Sequence, residues 1–586
     1  YKIQQKAGEK YKELIPKVSK QKIVVYPNYA RKNSEIDILA ELQNFQEPAK
    51  QLGLDIFTAS NNWAVAPEKS ATEKPLFAND MHLGINSPGI WYQAHQIVPG
   101  KLNVTGVALP GAPFIVAGHN SDIAWGFTNV SVDDMDFYRE KINPDNPHQY
   151  LFNGKWRDLK VQKETVSVKD GKPVVKELLF THRGPIISRF KDVEKEAISM
   201  RWVGNEKSNE ISSIYYVNRA SNWDQFKDAM RYFRTVSQNV AYADTKGNIG
   251  LYSCTGIPIR KNGQGLLVRP GWTDEYDWKG LVPFEQLPHT YNPENGFVAS
   301  ANNRTAGEEY PYYISHWFSP PYRIRRIRKK IKAKKSLSIE DFKAIQNDHK
   351  SGLVGDILPR LLKVLDSRNN DLDEQHRMAR EYLEKWDWIY TKQSVAASIF
   401  DQFYLAFLEN VTADELGSEL YEKLLKTTYL PMYAVNNIWK NEQSAWYNDV
   451  TTQGKKENFE EVVIRSFKEA VNSLENELSG DLQNWKWEKL HQLTIRHPLS
   501  EVKILDRIFN LNAGPYPLPG SFHTAGYYGY NYDAPFSVKA GASQRHIYNP
   551  ADWDNSLSII LTGTSGIPAS RHYCDQSSLY VQGKYH

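Results

Sequence analysis

The chain has 586 residues, 12% aromatic and 24% charged, enough to bury a large core and too many for one compact domain of ordinary size. A formal net charge of +4 gives no case for a nucleic-acid partner, and two cysteines, Cys254 and Cys574, exclude a disulfide framework while leaving one bridge or two free thiols open. No apolar run approaches the roughly 18–20 residues that a membrane-spanning helix needs.

The chain opens Tyr-Lys-Ile-Gln-Gln-Lys, with neither a signal-peptide pattern nor an initiator methionine, and is expected to be a mature or trimmed product. Residues 1–59 are polar and lysine-rich, and the apolar spacing between Ile36 and Phe45 predicts partial helix. At Ser60 the pattern changes. Ser60-Asn61-Asn62-Trp63-Ala64-Val65-Ala66, a polar stretch from Pro67 to Lys74, and a second apolar run from Leu76 to Leu83 predict a β-hairpin with Ser60 at the head of its first strand. Residues 60–335 read as a β-rich core, with short strands over Val104–Val107, Phe114–Ala117, Thr165–Val168 and Val174–Phe180 and one helix over Asn222–Phe233. Arg323 to Lys335 is dense in Arg and Lys and reads as a solvated helix face.

Residues 336–500 read as a helical segment. Ser338-Ile339-Glu340-Asp341 opens it, and helices are expected near Leu353–Leu365, Asp373–Trp388, Ala396–Leu408 and Phe459–Glu475. Over 501–586 strand and turn signals return, most clearly from Leu518. Strands, then helices, then strands define an α+β chain whose sheet core is closed by both ends.

Chemistry concentrates at Ser60. A small hydroxyl residue at the start of a strand, after the small Ala59, suits an enzyme that cuts its own chain there. The freed α-amine, with a reference pKa near 8, would then act as base for the hydroxyl of the same residue. A serine that caps a turn is the plain alternative. No Gly-x-Ser-x-Gly elbow supports a conventional serine hydrolase with a Ser-His-Asp triad.

Ser60-Asn61-Asn62-Trp63 followed by Ala78-Asn79-Asp80-Met81-His82-Leu83 resembles the start of the β-subunit of the penicillin acylase family, which are N-terminal-nucleophile amidohydrolases. Gly118 to Asn129, Gln238 to Asp244, Ala299 to Arg304, Pro320-Pro321-Tyr322-Arg323, Trp553 to Ser556 and Gly563 to Gly566 extend the resemblance from about residue 52 to 586. The resemblance implies a four-layer αββα sandwich with a large helical insertion. It makes residues 1–59 the tail of an α-subunit with the linker removed on maturation, pairs this chain with an α-subunit from the same precursor, and implies export to the periplasm or cell exterior.

The resemblance also assigns roles. Ser60 would be the nucleophile and His82 would orient its amine, a task that suits a neutral imidazole able to accept and donate at once. The backbone N–H of Asn129 and the side chain of Asn302 would hold the oxyanion, with Asn303 in reserve, and Arg323 would stand behind Asn302. Leu83, Ala117 and Phe127 would line an apolar acyl pocket. Asp133 and Asp136, carboxylates at i and i+3, suit a hard cation, and the resemblance makes Asp133, the backbone of Met135, and Asp136 ligands of a structural Ca2+. No organic cofactor is implied. The chain departs from the family at Met81, where proline is usual, and at Thr564, where glutamine is common. The activity expected is hydrolysis of the acyl-amide bond of an N-acylated small molecule, either a penicillin-type β-lactam or an acyl-homoserine lactone. The rival from another class is an unprocessed, non-catalytic binding protein.

Overall fold

The structure is a computed structural model that describes residues 6–16, 22–27, 59–188, 197–265, 267–427 and 429–586. The helix expected between Ile36 and Phe45 lies outside these.

Six strands and three helices position the site: β1 (Ser60–Val65), β2 (Leu76–Gly84), β3 (Ile123–Asn129), α1 (Trp223–Met230), β4 (Gln238–Asp244), β5 (Phe297–Ser300), α2 (Tyr322–Lys332), α3 (Ile339–Gln346) and β6 (Ala534–Tyr548). The expected hairpin is present, and β1 and β2 pair antiparallel from Ser60 opposite Met81 to Val65 opposite Leu76. Both lie in an eight-stranded sheet ordered β5, β1, β2, β6, Gln492–Ile495, Ala513–Pro517, with Tyr528–Asn531 and Leu557–Ile560 also on β6. A seven-stranded sheet contains β3 beside β4.

Alternation along β1 explains the layering, because successive side chains of a strand face opposite ways. Ala64 of β1 and Phe77 of β2 turn to the second sheet, where Ala124, Ala241 and Ala243 pack against them, and these small side chains fill the layer between the sheets. Trp63, Val65 and Ala78 turn the other way onto α2 and α3, meeting Ile324, Ile327 and Ile331, which recur along one stripe of α2. The far face of the second sheet carries Trp125, Phe127, Tyr242 and Tyr252 against Phe226 and Met230 of α1. Helix, sheet, sheet, helix is the expected αββα order.

Several local expectations hold in detail. Val174–Phe180 is a strand with those bounds, Val104–Val107 lies within Leu102–Ala108, and Asn222 caps α1. Ser338 caps α3 in a full capping box with Asp341. Others shift. The strand expected over Phe114–Ala117 begins only at Ala117, because the side chain of Asn218 binds both the N–H (3.0 Å) and the C=O (2.7 Å) of Ile115 in place of a neighbouring strand. The strand expected over Thr165–Val168 ends at Val166.

The helix expected over Ala396–Leu408 runs over Val395–Leu425 and breaks at Gly417, whose φ of 70° is left-handed. That expected over Asp373–Trp388 spans only Glu374–Glu384, capped by Asp373. The first returning strand, Gln492–Ile495, precedes residue 501, and a short helix, Lys503–Phe509, lies within the C-terminal segment. Arg325, Lys329 and Lys332 are exposed as expected of a solvated face, but Arg323 is buried.

Candidate active site

Ser60 is buried at the head of β1. Its Oγ donates to the Ala59 carbonyl at 2.5 Å, and the same carbonyl accepts the backbone N–H of His82 at 2.9 Å. The Ser60 N–H donates to Asn302 Oδ1 at 2.5 Å, and Asn302 Nδ2 donates to the Asn129 carbonyl at 2.9 Å. Ser60, Asn129 and Asn302, far apart in sequence, therefore meet at one point. Asn302 holds a left-handed backbone, φ 58°, just beyond β5; asparagine tolerates this conformation where most residues do not.

Arg323, on the first turn of α2, closes the cluster. One guanidinium nitrogen donates to the Ser60 carbonyl (2.8 Å) and Asn61 Oδ1 (2.7 Å), the other to Asn302 Oδ1 (2.9 Å) and Ser319 Oγ (3.2 Å). Burial lowers its pKa, opposed by Tyr429, Tyr527 and Asp80. All four acceptors are neutral, so its fork fixes geometry without cancelling its charge.

The register puts Met81 opposite Ser60, so the His82 ring projects to the helix side of the sheet with Asn61 and Asp80. There it stacks on Tyr527, ring centroids 4.8 Å apart, and its Nε2 bonds the Asp80 carboxylate. Asp80 also accepts from Asn61 Nδ2 (2.8 Å) and Gln346 Nε2 (3.4 Å). Burial pushes the His82 pKa down, with Asp80 opposing. A carboxylate partner fixes the proton on Nε2 and leaves Nδ1 as the lone pair; among the described residues that Nδ1 is buried without a hydrogen-bond partner.

Sequence reasoning missed Asp80, Asn61, Gln346 and Tyr527. For Asp80 a signal existed: residues i and i+2 of a strand share a face.

Phe127, Ala117 and Leu83 fall in one apolar cluster with Met81, and Phe127 stacks on Phe233 at 5.9 Å. Asn79 ties this cluster to the hairpin. Its side chain bonds both the N–H and C=O of Phe127, each at 2.9 Å, and the Asn61 carbonyl at 2.7 Å.

Asp133 and Asp136 are bridged by a cation of the chain itself. Arg260 reaches between the two carboxylates, its Nε 2.8 Å from Asp136 and a terminal nitrogen 3.2 Å from Asp133. Among the described residues no group of three or more His, Cys, Asp or Glu side chains is arranged to hold a metal. Cys254 and Cys574 are both free. No helix among the described residues is long and apolar enough to cross a membrane.

Two sheets face to face between helical layers, with a serine heading a central strand, define the N-terminal-nucleophile hydrolase fold. The thermostable penicillin G acylase from Alcaligenes faecalis shares this fold: its solved structure superposes with a TM-score of 0.68 at 21% identity, covering 90% of this chain and 95% of that one. The penicillin amidase family model matches residues 2–586, and the chain belongs to that family. It is 28% identical to the acyl-homoserine lactone acylase QuiP of Pseudomonas aeruginosa, across 95% of this chain and 69% of that protein. It is equally 28% identical to the penicillin acylase 2 proenzyme of a Pseudomonas species, across 95% of this chain and 70% of that one.

Proposed function

We propose that this chain is a self-processing amidohydrolase that cleaves the acyl-amide bond of an N-acylated small molecule, with Ser60 as nucleophile. The observation that carries the reading is the convergence of Ala59–Ser60, Asn302, Asn129 and Arg323 within hydrogen-bond distance of one another. In processing, Ser60 Oγ adds to the Ala59 carbonyl carbon, the Ala59–Ser60 C–N bond breaks, and the acyl group moves to oxygen as an ester. Water then hydrolyses that ester and frees the Ser60 amine and hydroxyl. The backbone N–H of His82 on the Ala59 oxygen supports this step, because it donates where negative charge would develop.

In turnover the amine takes the Oγ proton as Oγ attacks the substrate carbonyl. The Asn129 N–H and the Asn302 carboxamide are the proposed donors to the oxyanion. The proton passes to the departing amine, and water hydrolyses the acyl-enzyme. Asn302 Oδ1 would keep its bond to the Ser60 nitrogen. Asp80 and His82 would order the surroundings of the amine, with the unpartnered Nδ1 available to a bridging water. Leu83, Ala117 and Phe127 would receive an apolar acyl group.

The activities for which the relatives are named make β-lactam amides and acyl-homoserine lactones the first two classes to assay. A companion α-subunit from one precursor and a periplasmic or secreted location belong to the same proposal.

Intact mass and N-terminal sequencing of the expressed precursor test it. A new terminus at Ser60, lost in Ser60→Ala together with amide hydrolysis, is expected. An S60A protein that still hydrolysed amides would refute the reading. A wild-type chain that stayed uncut would favour the binding protein instead.

A further inference from the structure

The residues around Asp133 and Asp136 are assembled as a cation site with the cation supplied by the chain. Arg260 ends the short strand Pro258–Arg260, paired with Trp278–Leu281, and the register shifts between Ile259 and Arg260. An irregularity of this kind re-aims a side chain, and here it sends Arg260 inward. Its Nε donates to Asp136 Oδ2 at 2.8 Å, and one terminal nitrogen donates to the Asp133 carbonyl at 2.8 Å and to Asp133 Oδ1 at 3.2 Å. All three side chains are 95% or more buried.

The remaining neighbours are hydrogen-bond donors. The Tyr313 hydroxyl donates to Asp133 Oδ2 at 2.7 Å, and the Trp278 indole N–H donates to Asp136 Oδ2. Gly265 closes the last side: a methyl placed on it would lie 2.1 Å from Asp133 Oδ1 and 2.6 Å from Asp136 Oδ1.

A calcium ion needs six to eight oxygens at about 2.3–2.6 Å. Here three of the four carboxylate oxygens meet N–H or O–H donors, Asp136 Oδ1 alone is buried without a hydrogen-bond partner among the described residues, and the position between the two carboxylates is taken by a guanidinium. An ion bound to the same oxygens would stand a few ångströms from that fixed positive charge, where repulsion in a dry interior is strong. We propose that Arg260 is a built-in cation that replaces a divalent metal at this site, so that the folded enzyme neither binds calcium there nor depends on it. The proposal rests on family membership and on these contacts, not on the role of Ser60.

The test uses the full precursor, purified and dialysed against a calcium chelator. Bound calcium by elemental analysis and the melting temperature in chelator and in millimolar calcium chloride are the readouts. No stoichiometric calcium and the same melting temperature in both are expected. One calcium retained per chain, or a melting temperature that falls in chelator and is restored by calcium but not magnesium, would overturn the proposal.

Arg260→Ala strips the cation from two buried carboxylates. It is expected to lower the melting temperature by roughly 5–10 °C and to make it rise with added calcium. An R260A protein as stable as the parent in chelator would also overturn the proposal. If R260A does not accumulate, the wild-type calcium measurement decides alone. Amide hydrolysis is not read, so failure of the calcium prediction and failure of the Ser60 mechanism remain distinguishable.

Discussion

Arg323 and the Ser60 nitrogen share one acceptor: Asn302 Oδ1 takes the Ser60 N–H at 2.5 Å and the Arg323 guanidinium at 2.9 Å. If processing frees that nitrogen as an amine, a buried positive charge already stands beside it. A like charge disfavours the ammonium form, so Arg323 would hold the amine neutral and able to act as base at neutral pH.

Arg323→Gln tests this electrostatic role. Removing the charge should raise the amine pKa and move the acid limb of the kcat/KM profile to higher pH by about one unit or more. The profile is measured on protein shown by mass to be cut at Ser60, so that poor processing does not mimic the effect. A reduced rate with an unmoved acid limb would assign Arg323 to geometry alone.

The Asp80–His82 pair makes a different prediction. The carboxylate fixes the histidine proton on Nε2 and keeps Nδ1 as an acceptor, so Asp80→Asn should blur that choice. We expect kcat per active site, counted by burst titration, to fall on the order of a hundredfold with KM little changed. Asp80 opposes the downward push of burial on the His82 pKa, so losing it lowers that pKa further and should not raise the acid limb. A variant that merely melted lower, with full kcat per titrated site, would leave Asp80 a structural role only.

Much of this was legible in the chain. Two short runs on either side of the polar stretch Pro67–Lys74 mark the Ser60 hairpin, while its register, Ser60 opposite Met81, comes from the structure. The helix capped by Ser338 likewise leaves a local trace, whereas the αββα order was implied by the family resemblance alone. What escaped reading was set by contacts between distant segments. Asn218 imitating a strand at Ile115, and a strand irregularity turning Arg260 toward Asp133, have no period and no fixed spacing. For His82, proximity to Ser60 along the hairpin was legible, and one step of alternation puts its ring on the face it shares with Asp80 and Asn61.

Asp401 gives a prediction on stability against pH. It is buried in the helix Val395–Leu425 and accepts from the hydroxyls of Tyr390 (2.6 Å) and Tyr530 (3.0 Å). Burial raises its pKa to about 7, with the two tyrosine bonds opposing. From about pH 4, where the unfolded chain loses this proton, up to about pH 7, the native state holds more protons. Stability from this group is therefore full at low pH and lost as pH rises through 7. Asp401→Asn is neutral throughout. Its melting temperature should match the parent below about pH 4 and exceed it by a growing margin up to about pH 7, with the full difference above that. A difference between the two proteins that did not change with pH would rule out titration of Asp401 in this range.

Gly126 tests the wedge that joins the two sheets at the site. A methyl group there would lie 2.5 Å from Asn79 Oδ1 and 2.9 Å from Asn79 Cβ, so Gly126→Ala must displace the side chain that binds Phe127 and Asn61. The backbone at Gly126 is ordinary strand, so the cost comes from this collision and not from a lost left-handed conformation. We expect roughly 2–4 kcal/mol of destabilisation, measured by denaturant unfolding of an uncut Ser60→Ala background. The same displacement should slow processing at Ser60 in the wild-type background, because Asn79 anchors the strand that carries it. Asn79→Ala loses the same hydrogen bonds without a collision. If the two residues act as one wedge, the double variant should be no less stable than Asn79→Ala alone. Additive losses in the double variant would mean that Gly126 is constrained by something other than Asn79.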